Sequence, residues 1–156
     1  MRIALYEPRI PQNTGNIGRT CLAFDYSLDL ILPLGFKIES KYIRRAGLDY
    51  WKFIDVQLHS NFESYKKFIG SSRLIGFSKH GGRELSEIKF HESDCLLFGR
   101  EDSGLPSNVR DKCDLMSTIA MPGIASNSNL NGVRSLNLAV ACGIASYKAF
   151  QSFKRG

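Results

Sequence analysis

Apolar positions along the chain fall into short dense blocks, separated by stretches where they recur every three or four residues. The dense blocks have strand length: Ile3–Tyr6, Leu28–Leu32, Ile54–Leu58, Arg73–Phe77, Cys95–Phe98 and Leu115–Met121. Between them, helices are predicted over Thr14–Phe24 behind a glycine-rich turn, over a short Ser40–Arg45, and over Asn61–Ile69 with Asn61 as cap. Another is expected over Pro106–Lys112, with proline in its first turn. The longest helical stretch, Val133–Phe153, carries Leu136, Val140, Ile144, Tyr147 and Phe150 at three- and four-residue intervals, which marks one apolar face. Strands that alternate with helices predict an α/β fold in which a parallel sheet is covered by helices on both faces. Residues Gly123–Gly132 (GIASNSNLNG) read as a long polar loop rather than a boundary, so residues 1–156 are expected to form a single domain.

Composition narrows the partners. Hydrophobic residues make up 43% of the chain and charged residues 23%, which suits a packed core and argues against disorder. Lys and Arg total 21 against 15 Asp and Glu, a net charge of +6. An excess of cations favours a polyanionic partner, because neutralising phosphates releases counterions. The four cysteines, Cys21, Cys95, Cys113 and Cys142, share no CxxC spacing, and only three histidines accompany them, so no metal site is expected. They read instead as small apolar side chains in a reducing compartment. The first residues meet a proline and charges too early for a signal peptide, and no apolar run approaches the roughly 20 residues of a membrane span. A soluble, cytoplasmic protein is expected.

Three segments could carry chemistry. Asn13–Arg19 (NTGNIGR) follows a strand and opens a helix, where glycines admit a ligand close to the backbone and Arg19 lies within reach of a phosphate; an ordinary strand–helix turn explains it equally well. Leu96–Pro106 (LLFGREDSGLP) ends a buried strand in a loop with two glycines and the acids Glu101 and Asp102, at the sheet edge where open α/β proteins bind ligands. Its acids could also serve only as caps. Arg134–Leu138 (RSLNL) opens the last helix with a hydroxyl on Ser135 and an amide on Asn137, and Ser135 could be no more than a cap. A dinucleotide-binding oxidoreductase is disfavoured, since GxGxxG and its partner acid are both missing.

In this order and spacing, NTGNIGR, LLFGREDSGLP and RSLNLA (Arg134–Ala139) resemble the three signature motifs of SPOUT-class methyltransferases, and the likeness runs from Met1 to the last helix. LYEPRIPQNTGNIGR (Leu5–Arg19) and RRAGLDYW (Arg44–Trp51) resemble the small bacterial members that methylate the ribose of the tRNA wobble nucleotide and consist of the catalytic domain alone. The resemblance implies a C-terminal trefoil knot, a homodimer, and S-adenosylmethionine as methyl donor with S-adenosylhomocysteine as product. It implies cofactor contacts at Phe77, Gly99, Met121 and Ser135, and places Glu101 and Asn137 near the reacting centre. Catalytic roles are implied for Arg19 and for Tyr147 on the last helix. A guanidinium holds its proton too tightly to act as a base, so Arg19 is expected to fix an RNA phosphate and steady the developing alkoxide. The anticodon stem-loop of tRNA is the implied partner, with Asn13, Arg44, Arg45 and Tyr50 as RNA contacts and Lys41, Lys52 and Trp51 alongside. Methylation of another tRNA or rRNA position, or RNA binding without catalysis, are the alternatives.

Overall fold

The computed structural model describes residues 1–39, 48–125 and 134–154. Strands β1 (Arg2–Tyr6), β2 (Ser27–Ile31), β3 (Val56–His59), β4 (Leu74–Phe77), β5 (Arg83–Glu84), β6 (Cys95–Phe98) and β7 (Leu115–Thr118) form one sheet. Its order is β3-β2-β1-β6-β4-β7-β5, and every neighbouring pair is parallel. The helices are α1 (Pro11–Phe24), α2 (Phe62–Ile69), α3 (Ser107–Arg110), α4 (Pro122–Ala125) and α5 (Leu138–Lys154), with 3₁₀ turns at Leu48–Phe53 and Leu85–Glu87.

Alternation along the strands feeds two cores. Ile3 and Leu5 of β1 and Leu96 and Phe98 of β6 face the same side as Ile17 and Cys21 of α1 and Cys142, Ala145 and Ala149 of α5. Ala4, Cys95 and Leu97 face the other side, against Phe62, Tyr65 and Ile69 of α2 and Val109 of α3. Central strands β4 and β6 are buried at every position, as a sheet covered on both faces requires. Charge is buried with them too: Asp29, with no exposed surface, accepts from Arg2 Nε at 2.7 Å and Nη2 at 2.9 Å, and its other partner is His59 Nε2 at 2.7 Å.

Several boundaries differ from the sequence expectation. Helix α1 starts at Pro11, so NTGNIGR lies inside the helix and no glycine-rich turn precedes it. Proline at the first helical position needs no donor and its φ is already helical, and those two properties outweigh the glycines. Helix α5 starts at Leu138 rather than Val133, and α3 is confined to Ser107–Arg110. Strand β3 runs Val56–His59, because Ile54 closes the preceding 3₁₀ turn; β7 stops at Thr118. Short α4 occupies the start of the expected Gly123–Gly132 loop. The expected trefoil knot turns on the path of residues 126–133, and the Ser40–Arg45 helix falls on 40–47; both lie outside the described residues.

The last helix buries its small residues and leaves outward the apolar face that its large residues mark. Its small side chains Cys142, Ala145 and Ala149 are inside, while Val140, Ile144 and Tyr147 are 49%, 40% and 55% exposed. Small residues permit a close approach to α1, where Phe150 meets Phe24 with ring centroids 5.5 Å apart and the Tyr26 hydroxyl donates to the Ser146 carbonyl at 3.5 Å.

Candidate active site

Beyond the carboxyl ends of β4, β6 and β7 lies a cavity of about 600 Å³. Strand order turns around between β1 and β6, and the crevice outside such a reversal is where open parallel sheets take ligands. Phe77 and Phe98, stacked at 4.5 Å and 11°, end β4 and β6 and give the cavity its apolar floor. Asn13, Gly99, Glu101, Met121, Ser135 and Asn137 also line it, so all four expected cofactor contacts and both motif residues Glu101 and Asn137 come together there.

Three loops are fastened around this cavity by one chain of hydrogen bonds. Glu101 Oε2 accepts from Arg9 N at 2.7 Å, and Oε1 accepts from Ile10 N at 3.0 Å and Asn13 Nδ2 at 3.3 Å. Ile10, the N-cap residue of α1, has no side-chain cap of its own, so a carboxylate from the β6 loop serves the helix start instead. A carboxylate only accepts, which fixes the orientation of the Asn13 amide. Asn13 Oδ1 in turn accepts from Asn137 Nδ2 at 3.0 Å. Asn137 Oδ1 then accepts from Ala139 N at 2.8 Å and Val140 N at 3.3 Å, capping α5. Asn137, and not Ser135, is therefore the cap, and the polarity of the whole chain is set from Glu101.

The β6 loop is closed on itself with equal economy. Arg100 N donates to Gly104 O at 3.2 Å and Gly104 N to Arg100 O at 2.9 Å. A Cβ on Gly99 would stand 2.2 Å from Gly104 C and 2.4 Å from Leu105 N, so only glycine fits. Gly104, at φ +70°, occupies the left-handed region that glycine tolerates. Arg100 also lines the cavity and pairs with Glu7, its guanidinium 5.5 Å from the Tyr6 ring centroid. Burial, with a hydrogen bond to Glu7 beside it, raises the Tyr6 phenol above its ordinary value.

The structure separates other expected site residues from the cavity. Arg19 is exposed on α1, its guanidinium 5.5 Å from the Tyr50 ring centroid, and it does not line the cavity. Tyr50 is held nearby because Trp51 packs on the bare backbone of Gly18, where a Cβ would meet Trp51 Cζ3 at 2.7 Å. Tyr147 stands on the exposed ridge of α5, beside a smaller hollow of about 350 Å³ that it shares with Glu84, Ile144 and Lys148. Asn13 is buried as the link between Glu101 and Asn137, rather than presented outward. Arg44, Arg45 and Lys41 lie outside the described residues. Sequence reasoning missed Lys79 and His80, which line the cavity from the loop after β4. The signal was there: Ser78–Arg83 (SKHGGR) repeats the pattern of a buried strand followed by glycines. Among the described residues no group of acids, histidines and cysteines could hold a metal, and no helix is long and apolar enough to cross a membrane.

A parallel α/β sheet with its cavity at the reversal, clasped by polar segments, defines a fold that takes a small-molecule ligand at the carboxyl edge of its strands. Its membership is specific: a profile of the SpoU rRNA Methylase family matches residues 1–147, and the chain belongs to that family. The chain is 37% identical over 149 residues to a tRNA (cytidine(34)-2'-O)-methyltransferase of Methylovorus glucosotrophus, covering 96% of this chain and 93% of the relative. It is 34% identical over 151 residues to the tRNA (cytidine(34)-2'-O)-methyltransferase of Escherichia coli K12, covering 97% and 92%. A solved structure described as "Structural insights into the 2-OH methylation of C/U34 on tRNA" superposes with a TM-score of 0.90 at 42% identity, over 99% of this chain and 97% of that one. The SpoU methyltransferase AviRb from Streptomyces viridochromogenes, solved with AdoMet, shares the fold with a TM-score of 0.85 at 21% identity, over 100% of this chain and 61% of that one.

Proposed function

We propose that this chain transfers a methyl group from S-adenosylmethionine to the ribose 2′-hydroxyl of nucleotide 34 of tRNA. The observation that carries the reading is one cavity lined by residues of all three motifs, Asn13 from the first, Gly99 and Glu101 from the second, and Ser135 and Asn137 from the third. Near-full-length likeness to tRNA (cytidine(34)-2'-O)-methyltransferases supports the substrate. The lining suits the cofactor: a cavity of about 600 Å³ has room for a ligand of that size, Phe77 and Phe98 offer apolar surface for a purine, and Ser135 and Asn137 offer polar groups. When bound, S-adenosylmethionine supplies an activated methyl group on a sulfonium centre.

What the chain's own residues contribute is order. Glu101, with both oxygens engaged by the segment that leads into α1 and by Asn13 within it, holds the loops in register and leaves proton transfer to other groups. Arg19, exposed and without an acidic partner among the described residues, fixes an RNA phosphate and steadies the ribose oxygen as it loses its proton. Neither Arg19 nor Tyr147 lines the cavity of its own chain. The exposed ridge of Val140, Ile144 and Tyr147 supports a two-fold pairing through α5, in which these residues serve the partner's cavity. Sedimentation of Ile144→Glu at half the wild-type mass supports that pairing; an unchanged mass, or a monomeric wild type, removes it.

Incubation with methyl-tritiated S-adenosylmethionine and tRNA, followed by digestion to nucleosides, tests the activity. Label is expected in a 2′-O-methylated nucleoside and absent with Arg19→Ala. Label on a base overturns the ribose assignment, and label in rRNA but not tRNA overturns the substrate.

A further inference from the structure

Beyond Phe77, the end of β4, the chain runs into a cationic loop that no motif of the family reading uses. Ser78 N donates to Ser117 O at 3.0 Å, extending the β4–β7 pairing by one residue. Arg83 then re-enters the sheet opposite the same Ser117. Between these two feet, Gly81 and Gly82 take φ of +120° and +131°, and a Cβ on Gly82 would stand 2.6 Å from Met116 O. The segment is thus a tight excursion, pinned to β7 at both ends. At its tip Lys79 and His80 are exposed and line the cavity mouth. Among the described residues, Lys79, His80 and Arg83 form no ion pair. The neighbouring acid Glu84 lies on the opposite face of β5 from Arg83, where it accepts from Ser86 Oγ at 2.9 Å and lines the second hollow with Lys148.

The other charges of the cavity are Arg100, Glu101 and the exposed Asp102, whose carboxylate accepts from Ser103 Oγ at 2.9 Å. Arg100 is taken by Glu7, and Glu101 by three donors. Lys79 and Arg83 are therefore the unpaired cations of this loop, Lys79 at the entrance of the cavity and Arg83 at the foot where the loop pairs with β7. A single enclosed cation suits a small ligand's carboxylate. Two exposed cations separated by a glycine turn suit successive phosphates of a strand laid across the opening. Resting on the reading above, we propose that the Ser78–Arg83 loop is a phosphate clamp: Lys79 and Arg83, with His80 as a further donor, hold the RNA backbone flanking the target nucleotide so that its ribose faces the cavity.

The test measures Lys79→Gln, Arg83→Gln and the double variant by fluorescence anisotropy with an RNA hairpin of anticodon stem-loop sequence, across a salt series. Binding of S-adenosylmethionine by calorimetry runs in parallel. Each phosphate contact removed is expected to lower the slope of log Kd against log salt by about 0.7–0.9, with the double variant near twice that and affinity for S-adenosylmethionine unchanged. These are exposed positions, so folding is checked only by the unchanged cofactor binding. A fall in cofactor affinity with an intact salt slope overturns the clamp and assigns the cations to the cofactor's carboxylate. No change in either quantity overturns it as well. Failure of the wild type to bind the hairpin at all would instead sink the tRNA reading, which separates the two.

Discussion

Glu101→Gln cuts the clasp between the three loops with little change of volume. In the native site one carboxylate oxygen accepts from Arg9 N at 2.7 Å, and the other from Ile10 N at 3.0 Å and Asn13 Nδ2 at 3.3 Å. A carboxamide has one acceptor oxygen, so in either orientation its NH₂ faces a donor that has lost its partner. Each such loss at a partly exposed position costs about 1 kcal/mol, and losing the negative charge at a helix N-terminus adds about 0.5 kcal/mol. The expected destabilisation is about 2 kcal/mol, which lowers Tm by roughly 4–8 °C in a chain of this size. Urea unfolding followed by circular dichroism reads the stability, and calorimetry with S-adenosylmethionine reads the site. Affinity is expected to fall with stability, because Asn13 and Asn137 lose the group that orients them. Asn137→Asp makes the complementary cut: it keeps the α5 cap but cannot donate to Asn13, so it weakens cofactor binding at a smaller cost in Tm. A Glu101→Gln protein with wild-type Tm and wild-type cofactor affinity, yet no turnover, would refute this reasoning, since that pattern belongs to a proton-transferring carboxylate.

Other consequences follow from the same geometry. Gly99→Ala puts a methyl group 2.2 Å from Gly104 C, so the β6 loop must open; a folded protein with cofactor affinity down at least about tenfold is expected by calorimetry. Arg2→Ala leaves Asp29 buried with His59 as its remaining partner and is expected to cost about 3 kcal/mol in urea unfolding, part of which Arg2→Met with Asp29→Leu restores. Burial pushes the Cys142 thiol and the Tyr26 phenol up to about 12. For groups raised in the folded state, stability is complete below the unfolded pKa and is lost as pH climbs towards the folded one. The urea midpoint is therefore expected to hold to about pH 8 and to fall from about pH 9 upward, less steeply in Cys142→Ala; a flat profile to about pH 10.5 contradicts the assignment.

The fold was legible where periodicity is strict. β1, β2, β4 and β6 are runs of apolar residues long enough to name, and Asn61 caps α2 as its sequence suggests, with Oδ1 accepting from Ser64 N at 2.8 Å. Two-residue β5 was not legible, because Arg83 and Glu84 are both exposed and pair with β7 through backbone alone. The inward face of α5 was not legible either: size marks Val140, Ile144 and Tyr147, which stand exposed, whereas a close approach to α1 selects Cys142, Ala145 and Ala149. At the site, residues of all three motifs line one cavity, since glycines and polar residues after strands mark the carboxyl edge of the sheet. Roles were harder to read. That Glu101 serves the backbone donors of Arg9 and Ile10 just before α1, 92 and 91 residues away in sequence, depends on tertiary proximity that no local pattern carries.

The most direct test of the account uses two RNA hairpins of anticodon stem-loop sequence, identical except that one carries a 2′-deoxyribose at position 34. With methyl-labelled S-adenosylmethionine and wild-type protein, label is expected in the all-ribose hairpin and absent from the deoxy one, while both bind with equal affinity. Equal labelling of the two hairpins would contradict the account, because the accepting atom would then lie elsewhere.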